Sequence, residues 1–515
     1  MVSRFLIAAS LLVAPTLAHA DWHEASSKHF VVYSDDNPDK LKAYTARLER
    51  FDQTLRFLTG TPDKQISPMM RVRVYVVANV GEVQRLAGNS SVAGYYQRRA
   101  VGPIAVVPKD DGNGSLNAQT ILQHEYAHSF MFSSWPGVVF PKWFAEGFAE
   151  FVGTAYYRSG DDTLVIGKAP EYRAYGIDRV AQMPAERMLQ LDPRDKEIDT
   201  QTLYGRGWLL THYAILGGHS KELGAYIQAL NEGKSIDEAN QAFGNLGQLD
   251  AKLNAYGKRP ALPTITVPAG KVQVGDVTLR KLTAGEASTM KARIWSDNGV
   301  DEERAKMVVE WARAAAAGYP NDAGAQNELA EAEFDAKNYA ASEAAADRAL
   351  AADPTSIHAL LYKGMVQQEL AKADKSTDAA RWKAARGWFV KANKLDPAYP
   401  QPLILYYQSF EAAGQPVPKV AQDGLVGAYT YAPFDNGLRA EVGEVLLEQG
   451  NLAGARVAFE TIAYGPHPDA SNNVALNVLK AMDSGGKDAA LKVIADAKAK
   501  AKKAAEDAKN KKKAG

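Results

Sequence analysis

Cysteine is absent from all 515 residues. That excludes a disulfide framework, a thiolate metal site and a lipid attached through cysteine, so any metal must be held by imidazole and carboxylate. An excess of charge of one sign is lacking too: 60 Lys and Arg stand against 60 Asp and Glu. A neutral chain has no overall field to draw nucleic acid or an anionic membrane surface. No nucleic-acid partner is expected. Two catalytic signatures are also missing. Gly233-Lys234-Ser235 looks like the end of a phosphate-binding loop, but Gln228 stands where its first glycine is needed, and no Gly-x-Ser-x-Gly elbow occurs. What remains is an ordinary globular composition, 46% hydrophobic and 23% charged, long enough for two or three cores.

The longest apolar run near the start, Phe5 to Val13, is far short of the roughly 20 residues that span a bilayer. Preceded by Arg4 and followed by Ala18-His19-Ala20, it reads as a signal peptide over residues 1–20, cleaved after Ala20. The expected product is periplasmic or secreted, with no transmembrane segment. At the other end, Lys487 to Gly515 holds ten Lys against four acidic residues, which reads as a solvated Lys/Ala-rich tail over 483–515.

The chemistry is concentrated in His124-Glu125-Tyr126-Ala127-His128 and Trp143-Phe144-Ala145-Glu146-Gly147-Phe148-Ala149-Glu150. On a helix, His124 and His128 present their imidazoles from one face, one turn apart, which suits a shared metal ion. Glu125 lies beside the pair, placed to take a proton from water without being a ligand. Glu146 follows after 17 intervening residues, enough for a loop and a second helix to return a carboxylate. Two His and one Glu leave one tetrahedral position open, and this donor set makes Zn2+ the leading candidate. Glu150, one turn beyond Glu146, suits an acceptor for a ligating imidazole.

Around these motifs the pattern is α+β. His29 to Ser34 and Arg71 to Val77 read as strands, and Asp39 to Leu58 as an amphipathic helix carrying Leu41, Tyr44, Leu48, Phe51 and Leu55. Val101 to Pro108 reads as a third strand, whose two prolines suit a sheet edge able to pair with an extended peptide. Asp110 to Gly114 reads as a turn, Ser115 as a helix cap, and Pro141 as a first helical residue. Ile121, Leu122, Tyr126, Phe130 and Met131 are available to bury the histidine helix.

The combination of His124-Glu125-x-x-His128 with Trp143-x-x-Glu146-Gly147-x-Ala149-Glu150 resembles the gluzincin branch of zinc metallopeptidases, and more closely the peptidase-MA-like domains of exported bacterial proteins. The resemblance covers roughly residues 21–257. It implies that His124, His128 and Glu146 are zinc ligands and Glu125 the general base. It also implies a Tyr or His from a later helix to hold the oxyanion. Thr202 to Leu216 offers Tyr204, Arg206 and His212, with Tyr204 first and His212 second. The Gly-x-Met-Glu-Asn motif of the aminopeptidase members is missing, so the resemblance implies an endopeptidase.

Beyond residue 258 the texture changes. Pro260, Pro263 and Pro268 punctuate a stretch read as a linker over 259–300 with short β segments. From Asp301 the chain is Ala-rich, and Pro320, Pro354, Pro397, Pro433 and Pro466 or Pro468 recur every 34 to 43 residues, with a polar insertion near Lys372 to Ala380. This resembles tetratricopeptide repeats, expected over 301–482. The expected architecture is thus an α+β zincin-like metallopeptidase domain over 21–258 followed by an all-α tetratricopeptide-like solenoid, with a peptide or protein substrate and a protein partner in the repeat groove. The alternative is a non-catalytic periplasmic scaffold whose zinc site is structural or vestigial.

Overall fold

The computed structural model describes residues 21–109, 117–178, 183–189, 199–465 and 473–514. The expected signal peptide, the Asp110–Gly114 turn, Ser115, Pro466 and Pro468 lie outside them. In chain order the N-terminal part contains β1 (His23–Ser26), β2 (Phe30–Ser34), α1 (Pro38–Thr59), β3 (Val72–Val77), α2 (Val80–Ala87), β4 (Tyr95–Gln97) and β5 (Ile104–Pro108). Then come α3 (Ala118–Ser134), α4 (Lys142–Gly153), β6 (Tyr156–Tyr157), β7 (Leu164–Ile166), α5 (Ala174–Asp178), α6 (Ala185–Leu189) and α7 (Thr200–Leu216). Three helices, α8 (Ser220–Asn231), α9 (Ile236–Asn240) and α10 (Leu246–Gly257), lead to β8 (Ile265–Val267) and β9 (Thr278–Lys281).

Six strands form one mixed sheet in the order β4-β5-β3-β2-β1-β9, with β2, β3 and β5 parallel and the outer pairs antiparallel. Side chains alternate between two covered faces. Phe30, Val32, Val72, Val74, Ala105 and Val107 face the core shared with α1, α3, α4 and α7. Val31, Tyr33, Tyr75, Val77, Ile104 and Val106 face a second core closed by Val83 and Leu86 of α2. Burial on both faces is what a parallel sheet centre requires. Strands β6, β7 and β8 make a small antiparallel sheet.

Two expectations change here. Val101–Pro108 is not the sheet edge: β5 pairs with β3 on one side and β4 on the other, and β4 is the edge. The prolines gave a false signal because Pro103 precedes the first strand residue and Pro108 is the last, so neither removes a donor from the middle of the ladder. The stretch 259–300 holds the expected short β segments but does not serve as a linker either. β8 completes the small sheet, β9 extends the large one beyond β1, and the helix that follows, α11 (Ala284–Asn298), lays Met290 and Ile294 on the second sheet face. That face is apolar and needs a cover, which these residues supply.

The run of packed helices therefore begins at α11, not Asp301. It continues through α12 (Glu302–Ala316), α13 (Ala323–Asp335), α14 (Tyr339–Ala352), α15 (Ile357–Ala373) and α16 (Ala379–Leu395). It closes with α17 (Pro400–Ala412), α18 (Lys419–Tyr431), α19 (Asn436–Glu448), α20 (Leu452–Ala463) and the long α21 (Val474–Ala514), broken at Gly486. Pro320, Pro354, Pro397 and Pro433 each lie in a loop ahead of a hairpin. The long interval is taken up mostly as helix: α15 and α16 have 17 residues each, against 13 in α17 and α18. Alanines at 0% exposure, such as Ala330, Ala345, Ala346 and Ala359, set close helix contacts. The tail is not wholly solvated, because Ala490 and Ile494 pack on the last hairpin and Lys498 pairs with Glu444 at 2.6 Å.

The first helices of the hairpins dock on the sheet domain. Met70 and Ala100 join the core of Leu360, Tyr399 and Val442. The Tyr399 hydroxyl donates to the Val101 carbonyl at 3.1 Å, and Asp435, which caps α19, accepts the Ala100 amide at 2.7 Å. The fully buried Arg439 reaches the Pro136 carbonyl at 3.3 Å. Among the described residues no helix is long and apolar enough to cross a membrane.

Candidate metal centre

Helix α3 starts where the Asn117 side chain accepts the Thr120 amide at 2.9 Å, and it is buried through Leu122, Tyr126, Ala127, Phe130 and Met131. Ile121 is not part of that packing; it lines a cavity beside Glu125. The register leaves His124 and His128 side by side, with their Nε2 atoms 3.3 Å apart. Helix α4 begins one residue after Pro141 and is buried from Trp143 to Gly153. It delivers Glu146 so that Oε2 lies 3.3 Å from His124 Nε2 and 3.5 Å from His128 Nε2. A tetrahedral ion with bonds of about 2.0–2.2 Å holds neighbouring donors about 3.3–3.6 Å apart. The triangle therefore fits such an ion, and the side chains of His128 and Glu146 are fully buried. Glu125 is half-buried and opens into a cavity of about 570 Å³.

Two glycines explain how α4 gets this close. A Cβ on Gly147 would lie 2.3 Å from the Gly207 carbonyl oxygen and 2.5 Å from Thr211 Oγ1, so α4 and α7 cross almost backbone to backbone. A Cβ on Gly153 would meet His124 Cβ at 3.2 Å. The close crossing brings Tyr204 of α7 to the centre: its ring stacks on His124 at 6.0 Å between centroids. Burial, and then the neighbouring Glu146 charge, push the Tyr204 phenol far above its ordinary range, so it remains a proton donor.

Electrostatics favour a cation among these three groups. Burial opposes a charge on His124, but the hydrogen bond to Glu146 and the charges of Glu150, Glu146 and Glu125 outweigh it and raise its pKa to about 9. Burial dominates at His128 and lowers its pKa. For Glu146, burial is overcome by the two imidazoles, which hold the carboxyl well below its usual range. A proton on His124, hydrogen-bonded to Glu146, is one cation that this arrangement favours.

Glu150 stands where the sequence suggested, with Oε1 3.6 Å from His124 Nδ1. What holds it was not anticipated. Tyr172 donates to Glu150 Oε2 at 2.7 Å, and Arg173 donates to Oε1 at 2.9 Å through Nε, with its Nη2 at 2.8 Å. The Arg173 guanidinium also lies 4.7 Å from the centre of the Tyr204 ring. Neither residue carries a motif; only the length of the loop after β7 hints that it returns to the helices.

His212 is not at the centre. Its Nδ1 lies 2.9 Å from the Tyr256 hydroxyl, its Nε2 lies 3.1 Å from the carbonyls of Gly167 and Pro263, and Trp208 and Phe151 pack on the ring. Two turns beyond Tyr204 on α7, it faces the small sheet instead. Arg206 is likewise engaged elsewhere, with Asp250 at 3.1 Å. A second buried set, His29, Glu49 and Asp52, has both carboxylates engaged within the chain: Arg56 binds Asp52 at 2.7 Å and His29 Nδ1 lies 2.7 Å from Glu49 Oε1. Asp52 also accepts the Tyr126 hydroxyl at 2.6 Å, tying α3 to α1.

No family model and no curated protein matches the chain. Among solved structures, the helical repeat region is similar to the tetratricopeptide-repeat proteins PilF and MamA. PilF of Pseudomonas aeruginosa is 16% identical with a TM-score of 0.32, over 41% of this chain and 88% of that one. A MamA double mutant (RS-1, ArsTM) is 14% identical with a TM-score of 0.26, over 34% of this chain and 94% of that one.

Proposed function

We propose that this chain is an exported, zinc-dependent hydrolase of peptide bonds, with an endopeptidase-like mode of action. The observation that carries the reading is the donor triangle of His124, His128 and Glu146, whose edges of 3.3, 3.3 and 3.5 Å match a tetrahedral first-row ion. A bound zinc ion would supply Lewis acidity and lower the pKa of a water molecule. The chain's own groups have separate tasks. Glu125, open to the cavity, accepts the proton of the attacking water and returns it to the leaving amine. Tyr204, still protonated at neutral pH, donates to the oxyanion that develops on the substrate carbonyl. Edge strand β4 offers a backbone ladder to an extended peptide beside Glu125.

Glu125 separates this reading from a scaffold with a structural ion. The carboxylate is not among the three grouped donors and faces the cavity, where a structural site has no use for it. Zinc content and casein cleavage, measured on the full chain and on Glu125→Gln, test the proposal. Both proteins should carry one zinc, and only the wild type should cleave. Zinc in both with cleavage in neither points to the scaffold. Export is proposed from the leader, and since β1 begins at His23 a chain cleaved after Ala20 keeps every described element.

A further inference from the structure

The cavity beside Glu125 is not built by the sheet domain alone. Tyr96 and Arg98 come from β4 and the residues after it, Ile121 and Glu125 come from α3, and Phe434 and Asn436 come from the loop and first residue at the α18–α19 junction. That junction is held firmly. Asp435 caps α19 through the Leu438 amide at 2.9 Å while accepting the Ala100 amide at 2.7 Å. Arg439 binds the Pro433 carbonyl at 2.6 Å on one side and the Pro136 carbonyl on the other. Phe434 packs against the cores of both the sheet domain and the repeats. A segment more than 300 residues downstream in sequence therefore sits as a wall of the same space that Glu125 faces.

The chemistry of that space is specific. Tyr96, Ile121 and Phe434 offer apolar surface, and Arg98 is the one cation in the lining. Among the described residues Arg98 forms no ion pair within the chain; its guanidinium lies 5.6 Å from the centre of the Phe132 ring. Glu125 shares the lining but forms no ion pair with Arg98, and a half-buried guanidinium that no described carboxylate pairs attracts one from a ligand, because the cleft walls displace the water that would screen it.

We propose that the repeats form part of the substrate subsite, and that the subsite selects an extended peptide carrying a bulky apolar side chain next to an acidic one. The apolar side chain seats against Phe434, Ile121 and Tyr96, and the acidic side chain pairs with Arg98. The repeat region is then a component of the cleft and not only a recruiting arm. The proposal rests on the hydrolase reading for the identity of the ligand as a peptide, but its test does not require turnover.

Binding of N-acetylated, C-amidated octapeptides to zinc-loaded full-length Glu125→Gln is measured by fluorescence anisotropy. The parent peptide contains a central Phe-Glu pair; the comparison peptides carry Ala for Phe or Gln for Glu. Blocked termini leave the side chain as the only carboxylate. The parent should bind at least tenfold more tightly than either comparison peptide. Adding Arg98→Gln should abolish the preference for Glu over Gln and keep that for Phe over Ala. Phe434→Leu, which keeps the packing of the junction, should narrow the preference for Phe several-fold while the melting temperature holds. Equal binding of all three peptides, or preferences unmoved by both substitutions, overturns the inference. Wild-type protein that cleaves casein alongside such a result leaves the hydrolase standing. Selective binding with no cleavage of any peptide by the wild type refutes the hydrolase and leaves the subsite.

Discussion

Gly147→Ala is the sharpest test of how the centre is assembled. The added methyl would lie 2.3 Å from the Gly207 carbonyl oxygen, 2.5 Å from its carbon and 2.5 Å from Thr211 Oγ1, whereas Cβ atoms stay beyond 3.0 Å from such neighbours. Two of the three obstacles are backbone, so no rotamer change relieves them; α4 and α7 must separate by about 0.7–1 Å to restore van der Waals contact. Overpacking of this kind costs about 1–3 kcal/mol or more, which for a cooperative unit of about 240 residues lowers the melting temperature by about 2–6 °C. Glu146 and Tyr204 move apart with their helices, and a displacement of about 1 Å at a catalytic group costs about 100-fold in turnover. Gly224→Ala is the control. It also lies within a helix, with nothing within 4 Å of the added atom, and should stabilise the chain by up to about 1 kcal/mol. Differential scanning calorimetry, zinc affinity and casein turnover on both variants read the effect. A Gly147→Ala protein that melts with the wild type and keeps its zinc and turnover refutes the claim that the close crossing positions the site.

Three further outcomes are expected. His212→Ala should lower stability by about 2–4 kcal/mol, because it empties a buried site and strips Tyr256 and two carbonyls of a partner, yet metal analysis should still find zinc. Arg173→Ala should leave the buried Glu150 carboxylate without its guanidinium, costing about 3–5 kcal/mol and about 10–100-fold in zinc affinity by chelator competition; Arg173→Lys should recover part of the loss. Stability should also fall as pH rises from about 4 to 7 through a buried acidic group on α13. Burial raises Glu328 and Asp335 to about 7, the Asp297 charge adding to the effect at Glu328 and Arg293 opposing it there. The folded chain thus keeps protons that the unfolded chain has lost near pH 4, and this contribution disappears through the folded pKa. The double variant Glu328→Gln, Asp335→Asn should flatten the decline in melting temperature between pH 5 and 8, and an unchanged slope refutes the assignment.

Local pattern and distant contact contributed differently to this molecule. The spacing of His124 and His128, the return of Glu146 after a loop, the amphipathic α1 and the repeat of helical hairpins were legible because each depends on helical periodicity within a few turns. Glu150 lies near His124 because it is one turn from Glu146 on the same helix, but at 3.6 Å from Nδ1 it takes its hydrogen bonds from Tyr172 and Arg173 and not from the imidazole. The glycines at 147 and 207 sat in plain view, yet no local rule says that two glycines 60 residues apart meet each other.

The rest was decided by surfaces that only exist once the chain is folded. Tyr204 and His212 are two turns apart on one helix, and the packing of α7, with Gly207 against α4 on one side and Tyr256 on the other, sends one to the His124 ring and the other to the small sheet. Tyr172 and Arg173 became site residues because a buried carboxylate needs partners and their loop could reach it. Pro103 and Pro108 suggested an edge that β4 takes instead, and the segment after residue 258 was drawn into both sheets because open ladders and an uncovered apolar face were there to be satisfied. The sequence alone determined which side chains can hold a cation and which stretches are helices. The tertiary structure alone decided what surrounds them, because hydrogen-bond completion and apolar cover are met by whatever part of the chain arrives, however far along it lies.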